Sequence, residues 1–133
     1  MQHVFVYGTL RAGEANDIGA AAACYGIAPP TLIGTTSMRG RLFDFGDYPG
    51  MVVDPAAGPV VGDVYAIDDA LVAVLDEIEE VYPGVEGLFL ARETSIDVNG
   101  ASVACRFYPV AHESVAGLRE IRGGDWVAHR RGR

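Results

Sequence analysis

The stretch VFVYGTL, residues 4–10, is the most informative part of this chain. Its β-branched and aromatic half stops at Gly8, which is typical of a buried strand that ends in a tight turn. Gly8 has no Cβ, so the backbone there can adopt a positive φ and a ligand can approach it closely. Consecutive N–H groups at such a turn can bind a carboxylate or a developing oxyanion. The pattern therefore predicts either an anion-binding turn or a strand that simply ends in a turn.

The composition indicates one acidic globular domain. The chain has 133 residues, and we expect a single domain over 1–133 in which 127–133 form a loose basic tail. Ten Lys and Arg against 18 Asp and Glu give a formal net charge of −8. An acidic domain without a basic stripe is a poor partner for nucleic acid or an anionic membrane, so we expect neither.

Cysteine usage and the start of the chain favour the cytoplasm. Cys24 and Cys105 form no CxxC pair, which fits a reducing compartment, although the sequence is also compatible with a disulfide between them. We expect both to be small buried hydrophobes rather than nucleophiles. The first residues do not resemble a secretory signal, and no apolar run in the sequence has the length of a membrane span.

Short apolar runs along the chain predict mostly strands with one or two helices. The clearest helix is 70–80, with apolar residues at i, i+3, i+4 and i+7. Asn99-Gly100 is a strong hairpin signal, because both residues tolerate positive φ. These elements predict an α+β domain whose sheet curls around one core. The predicted strands are 4–7, 41–45, 60–67, 88–98 and 103–110, with a short helix at 17–25 and a loop at 46–50.

Glu79 stands apart from the other acids at the end of the predicted helix. At about 100° per residue it lies roughly 70° from the centre of the apolar stripe, whereas the other three acids lie about 130° or more away. A carboxylate withdrawn from water resists ionisation, so its pKa rises toward the range that a general acid or base needs. The position also suits a boundary glutamate that reaches solvent or pairs with Arg92.

The sequence lacks the patterns of the common metal and cofactor sites. Three histidines, His3, His112 and His129, are scattered without ligand spacing, so we expect no metal site. The glycines do not fall at the spacing of a phosphate loop or a dinucleotide fingerprint, and no Gly-x-Ser-x-Gly elbow occurs. We therefore expect no metal and no organic cofactor.

Several blocks, in order along the chain, resemble the gamma-glutamylcyclotransferase-like superfamily, which includes the plant avirulence-induced proteins and many small bacterial members. The blocks are VFVYGTLRAG, RGRLFDFGDYPGMV, VVGDVYAI followed by LDEIEEV, and the closing IRGGDW. Their conjunction is specific and covers nearly the whole chain. The resemblance implies a small α+β fold, a strongly bent, barrel-like mixed β-sheet with a few helices around one pocket.

The resemblance also implies an enzyme that releases 5-oxoproline from a γ-glutamyl amine or peptide. The substrate's α-amine attacks its own γ-carbonyl, and aligning LD-x-x-E places the general acid/base at Glu79. The backbone of the YGTL turn is implied to hold the α-carboxylate or the polarised carbonyl. The implied partner is a small γ-glutamyl molecule, and no metal or cofactor is required. The implied substrate-binding residues are Tyr7, Gly8, Thr9 and Leu10, with Tyr48 and Tyr108 as wall residues.

Two positions depart from the family pattern. The family often has a glycine after the catalytic glutamate, and here that residue is Glu80. It commonly has Tyr-x-Arg after the helix, where this chain has Leu90-Ala91-Arg92, and the lost hydroxyl bears on substrate choice and activity. The identity of the leaving amine stays open. Two other functions stay open as well: a non-catalytic small-molecule binder on the same scaffold, and a hydrolase that uses Glu79 to activate water.

Overall fold

A computed structural model of the protein describes residues 2–80 and 87–132. The strands are β1 (Gln2–Val6), β2 (Thr31–Asp44), β3 (Pro49–Val53), β4 (Pro59–Ile67), β5 (Arg92–Val98), β6 (Ala101–Phe107) and β7 (Arg119–Glu120). The helices are α1 (Ile18–Cys24), α2 (Asp69–Ile78) and α3 (Trp126–Arg131), with a short 3₁₀ helix at His112–Val115. The predicted α+β class is confirmed.

The strands form one strongly curled mixed sheet in the order β3-β2-β4-β1-β6-β5, with β7 paired to β2. Strand β1 is antiparallel to β4 and parallel to β6. The 14-residue strand β2 pairs with β4 along its first part and with β3 and β7 near its end. A register shift between Leu32 and Gly34 increases the local twist. The sheet therefore bends into the half barrel that the resemblance implied.

Strand β1 lies near the middle of the sheet and is buried on both faces. Val4 and Val6 pack in the cluster that contains α1 and α2, whereas Phe5 and Tyr7 pack in the cluster on the other face. A strand with two buried faces needs apolar side chains at successive positions. This explains the uninterrupted apolar run with which the chain begins.

Helix α2 presents the predicted apolar stripe to the core. Asp68 caps the helix by accepting a hydrogen bond from the N–H of Ala70 at 2.9 Å. The helix ends at Ile78, two residues before the predicted end, and Glu80 follows in the left-handed region at φ 56°. The buried residues of this face are Leu71, Val74 and Leu75.

The hairpin predicted at Asn99-Gly100 is present between β5 and β6. Val98 pairs with Ala101 across the two-residue turn. Both turn residues have positive φ, 51° for Asn99 and 80° for Gly100, as the primed hairpin turns require. Near the end of β5 the buried residues Ile96 and Val98 alternate with the exposed residues Ser95 and Asp97.

The structure differs from the prediction at β2 and β3. Residues 31–40 form the first part of β2, although this part is largely exposed and shows no apolar alternation. Residues 46–50 were predicted as a loop, but Pro49 and Gly50 begin β3. Proline is tolerated at the first residue of a strand because its missing N–H costs no ladder hydrogen bond there.

Residues 127–131, predicted as a loose basic tail, belong to helix α3. Arg130 donates two hydrogen bonds to Glu14, at 2.7 and 2.6 Å, and the side chain of Glu14 is only 2% exposed. His129 lies 2.8 Å from the Asp44 carboxylate. The basic residues expected to remain in solvent therefore attach α3 to the sheet and to the segment after β1. The single-domain organisation stays a prediction.

The two cysteines differ in environment and are both free. Cys105 is buried in the core, as expected, whereas Cys24 is exposed and the expectation of a buried side chain was wrong for it. In the ranges that the structure describes, the helices are too short or too polar to cross a membrane.

Candidate active site

The residues predicted for the site surround one cavity of about 340 Å³. This volume lies in the range of small-molecule sites. The cavity lies between the end of β1, the start of β3, the end of α2 and the segment after β6. Its lining includes all of the predicted site residues, namely Tyr7, Gly8, Thr9, Leu10, Tyr48, Glu79 and Tyr108. The lining residues that the sequence analysis missed are Phe5, Val6, Asn16, Pro49, Ile78, Leu88 and Phe89.

The YGTL turn presents three successive backbone N–H groups without protein acceptors. The carbonyls of Gly8, Thr9 and Leu10 accept hydrogen bonds from later N–H groups at 3.0, 2.8 and 3.0 Å. Their own N–H groups donate to no acceptor in residues 2–80 and 87–132. Because buried N–H groups almost always have a partner, these donors suit a bound carboxylate or oxyanion.

Gly8 is required at the turn by close packing rather than by its φ angle. It is absent from the glycines with positive φ, so the conformational freedom expected from the sequence is not used. Instead, a Cβ at this position would lie 2.7 Å from Cγ of Pro49. Carbon atoms in contact lie about 3.5–4.0 Å apart, so a side chain would force the turn and the Tyr48-Pro49 loop apart.

The Tyr7 hydroxyl is fully engaged within the protein. It donates to the backbone carbonyl of Tyr108 at 2.7 Å and accepts from the N–H of Met51 at 3.1 Å. Burial raises the pKa of this phenol far above its ordinary value, so it stays protonated. The hydroxyl therefore joins β1 to β3 and to the segment after β6, while the residue lines the cavity.

We expect Tyr7→Phe to lower the free energy of unfolding by about 2 kcal/mol, because it leaves a buried N–H and a buried carbonyl without their partner. Urea unfolding of the variant and the wild type measures the loss. Tyr65→Phe is the matched control, since Tyr65 is also buried but its hydroxyl bonds to none of the described residues. Equal losses in the two variants would contradict the role of the Tyr7 hydrogen bonds.

Tyr108 belongs to a polar network that the sequence pattern does not predict. Its hydroxyl donates to the Asp76 carboxylate at 2.6 Å, and Arg106 donates to the same carboxylate through Nε and Nη2 at 2.8–3.0 Å. Asp76 is on α2 and Arg106 is on β6, so the network joins the last turn of the helix to the sheet. That turn leads directly into Glu79.

The aromatic rings of Tyr48 and Phe89 form another wall of the cavity. The ring of Tyr48 stacks on Phe45, with centroids 5.4 Å apart and an interplanar angle of 13°. It also contacts Phe89 at 5.9 Å in a tilted arrangement. Tyr48 and Phe89 both line the cavity. Leu90, which replaces a tyrosine of the family pattern, is not among the described lining residues.

Glu79 is the C-cap residue of α2 and lines the same cavity as the turn. Burial alone raises the pKa of its carboxyl from 4.5 to about 7. Its negative charge also helps to raise the pKa of Tyr7, which shows that the two side chains lie within electrostatic range. Within the described residues the carboxylate has no hydrogen bond and no ion pair, and Arg92 donates to the carbonyl of Ala91 instead.

The cavity therefore combines a proton acceptor near neutrality with neutral donors for an anion. Among the described residues, no group of three or more His, Cys, Asp and Glu is arranged to hold a metal ion. The arrangement can transfer a proton at Glu79 and can stabilise negative charge at the turn.

Comparison with known proteins identifies the family. Residues 4–128 match the family described as "Gamma-glutamyl cyclotransferase, AIG2-like". The chain is 32% identical over 125 residues to the gamma-glutamylcyclotransferase family protein YtfP of Escherichia coli K12, covering 93% of this chain and 95% of the relative. It is 30% identical over 133 residues to the "Gamma-L-glutamyl-butirosin B gamma-glutamyl cyclotransferase" of Niallia circulans, covering 98% of this chain and 78% of that protein.

Solved structures show the same fold. An AIG2-like protein from Mus musculus superimposes with a TM-score of 0.70 at 22% identity, over 90% of this chain and 84% of that one. The protein PH0828 from Pyrococcus horikoshii gives a TM-score of 0.68 at 19% identity, over 99% and 95%. The resemblance noted in the sequence is confirmed, and the chain belongs to the gamma-glutamyl cyclotransferase, AIG2-like family.

Proposed function

We propose that this protein is a γ-glutamyl cyclotransferase that converts a γ-glutamyl amine or peptide into 5-oxoproline and the free amine. The observation that carries the proposal is the unpaired, partly buried carboxylate of Glu79 in one cavity with the free N–H groups of the YGTL turn. The family match supports the reaction type. The similarity to the Niallia circulans enzyme, named for a γ-glutamyl metabolite, supports a small-molecule substrate.

In the proposed mechanism Glu79 takes a proton from the α-ammonium group of the substrate. The freed amine attacks the γ-carbonyl carbon, so a C–N bond forms and negative charge develops on the carbonyl oxygen. The N–H groups of Gly8, Thr9 and Leu10 hold either this oxyanion or the α-carboxylate. The carbonyl then re-forms and the bond to the leaving amine breaks as protonated Glu79 donates its proton to that nitrogen. The ring nitrogen loses its second proton to the same carboxylate, which passes it to the released amine, so the products are 5-oxoproline and an ammonium ion. The nucleophile belongs to the substrate, so its effective concentration is high and no covalent enzyme intermediate forms.

The open cavity favours this reaction over a purely binding role. An apolar plug beside Glu79, or an ion pair between Glu79 and Arg92, would favour a non-catalytic binder, and neither is found in the described part of the chain. A hydrolase on the same site would release glutamate in place of 5-oxoproline.

The proposal is tested by incubating the protein with a panel of γ-glutamyl amino acids, peptides, amines and ε-lysine derivatives. Chromatography of the products separates 5-oxoproline from glutamate. Release of 5-oxoproline with equal amounts of the amine is the expected result. Glutamate release would favour the hydrolase, and the absence of turnover across the panel would favour the binder.

The pH dependence of the reaction gives a second prediction. Glu79 must be ionised to accept a proton, and the pKa of its carboxyl is raised to about 7. We therefore expect kcat/KM to approach a tenfold fall per pH unit below about 7, which gives a loss of about 50-fold between pH 7 and pH 5. A profile that stays flat down to pH 5 would contradict the assignment. The stability of the fold across the same range is checked by circular dichroism.

A further inference from the structure

The part of the cavity that the glutamyl group does not use has an unusual chemical character. In the proposed mechanism the glutamyl group engages Glu79 and the YGTL turn. The remaining described lining is one acid, Glu80, one amide, Asn16, and otherwise apolar and aromatic side chains, which include Tyr48 and Phe89.

The described lining of the cavity contains two carboxylates and no Lys, Arg or His. The sequence 81–86, which follows Glu80, contains no basic residue either. The formal net charge of the chain is −8, so the long-range field also favours cations over anions. A carboxylate on the leaving amine would therefore meet repulsion without a countercharge, whereas an ammonium group would meet attraction.

Glu80 supplies the second carboxylate from a strained position. It follows the C-cap of α2 at φ 56°, where glycine is the residue of lowest strain. Glu80 is an exposed residue just beyond the end of α2 that lines the cavity, and its carboxylate has no hydrogen bond or ion pair with any described residue. The Glu80 carboxylate is therefore available to interact with a bound ligand.

The aromatic wall adds a second kind of attraction for a cation. Tyr48 and Phe89 contact each other at 5.9 Å and both line the cavity. Aromatic rings attract ammonium groups electrostatically, and they also pack against the methylene chain of an alkyl amine. A flexible amine with a terminal positive charge satisfies both the rings and the Glu80 carboxylate.

We infer that the cavity selects γ-glutamyl compounds whose leaving amine carries a second, positively charged amino group, and that Glu80 determines this preference. The inference rests on the proposed function for the reaction and names the substrate class. It also accounts for an acid at a backbone position that favours glycine.

Three γ-glutamyl substrates of matched length test the preference: those of a four-carbon diamine, of pentylamine and of γ-aminobutyrate. They differ at one end by a positive, a neutral and a negative group. We expect kcat/KM to decrease in that order, with the diamine derivative at least about tenfold above the γ-aminobutyrate derivative. A salt concentration of about 0.5 M should reduce this ratio, since screening weakens the interaction of exposed charges. Equal rates, or the reverse order, would overturn the inference.

Charge substitutions assign the preference to Glu80. We expect Glu80→Gln to lower the ratio of the diamine rate to the γ-aminobutyrate rate by about tenfold. Glu77→Gln removes the same charge from an exposed position of α2 outside the cavity lining, and it should leave the ratio within about twofold. Equal changes in the two variants would show that only net charge matters and would overturn the role of Glu80.

Binding separates this inference from the proposed reaction. Calorimetric titration of Glu79→Gln with the same three compounds measures affinity without turnover. Tighter binding of the diamine derivative supports the inference, whether or not the wild type releases 5-oxoproline. The absence of 5-oxoproline release would reject only the cyclotransferase proposal. Binding that does not depend on the charged end, or no binding of any of the three, would overturn the inference.

Discussion

Replacing Glu79 by Gln is expected to lower kcat/KM for 5-oxoproline release by about a thousandfold, within the range of 10² to 10⁴ that general acid/base groups contribute. Glutamine keeps the shape of the side chain but cannot accept the ammonium proton or return it to the leaving amine. Initial rates at pH 8 measure the loss. The acid limb of the pH profile should disappear with it.

The pH dependence of the free energy of unfolding shows whether the Glu79→Gln variant is folded. The pKa of Glu79 is about 7 in the folded chain against 4.5 ordinarily, so the folded state holds this proton more tightly. The contribution of Glu79 to folding stability is therefore fully present below pH 4.5 and is lost as the pH rises through about 7. Glutamine does not ionise, so Glu79→Gln does not lose stability in this way. The free energy of unfolding of the variant, relative to that of the wild type, should therefore increase from pH 4.5 to pH 8. A variant that is inactive and less stable at pH 8 would point to misfolding.

Glu77→Gln is the control for activity. Glu77 lies two residues earlier on the exposed side of α2 and does not line the cavity. We expect its kcat/KM to stay within about twofold of the wild type. A comparable loss in both variants would contradict the acid/base role of Glu79.

The largest effect on stability is expected for Asp63→Ala, with a loss of about 3 kcal/mol in the free energy of unfolding. Asp63 accepts a hydrogen bond from Arg11 Nε at 3.0 Å and another from the Thr35 hydroxyl at 2.6 Å. The side chains of Asp63 and Arg11 are only 10% and 13% exposed. Removing one partner of a buried pair leaves the other charge uncompensated. Asp125 also binds Arg11, at 3.2 Å, which moderates the loss.

Urea unfolding measures this loss, and Asp97→Ala is the matched control. Asp97 is also an aspartate in a strand, but its side chain is exposed and has no ion pair among the described residues. We expect the control to change stability by less than about 0.5 kcal/mol. A loss below about 1 kcal/mol in Asp63→Ala would show that the pair contributes little. Because Arg11 directly follows the YGTL turn, we also expect lower activity in this variant.

The parts of the structure that could be predicted are those in which local pattern and tertiary environment agree. Strand β1 and helix α2 are buried along continuous or periodic apolar positions, so their sequences show their places in the fold. The Asn99-Gly100 hairpin was predictable because its backbone needs two positive φ angles. Glu79 was singled out by helical geometry alone, and it lines the cavity together with the turn.

The missed parts depend on contacts between distant residues. The first part of β2 is largely exposed and carries no alternation, so only its pairing with β4 makes it a strand. The role of Gly8 depends on Pro49, and the hydrogen bonds of Tyr7 depend on β3 and Tyr108, none of which is near in sequence. Helix α3 was hidden by its basic composition, although Asp125, which accepts from the N–H of Ala128, was a readable cap signal.

The contacts between the segment after β1 and the α3 region have a consequence for how the protein forms during synthesis. Arg11 and Glu14 reach partners 114 and 116 residues later in the chain, at Asp125 and Arg130. Translation proceeds from the N-terminus, so the YGTL turn leaves the ribosome long before the residues that hold it in place. Loop closure over such a distance is slow relative to local folding. The YGTL turn is thus synthesised, together with β1, before the other elements that line the cavity, and we expect it to be among the last of them to become ordered.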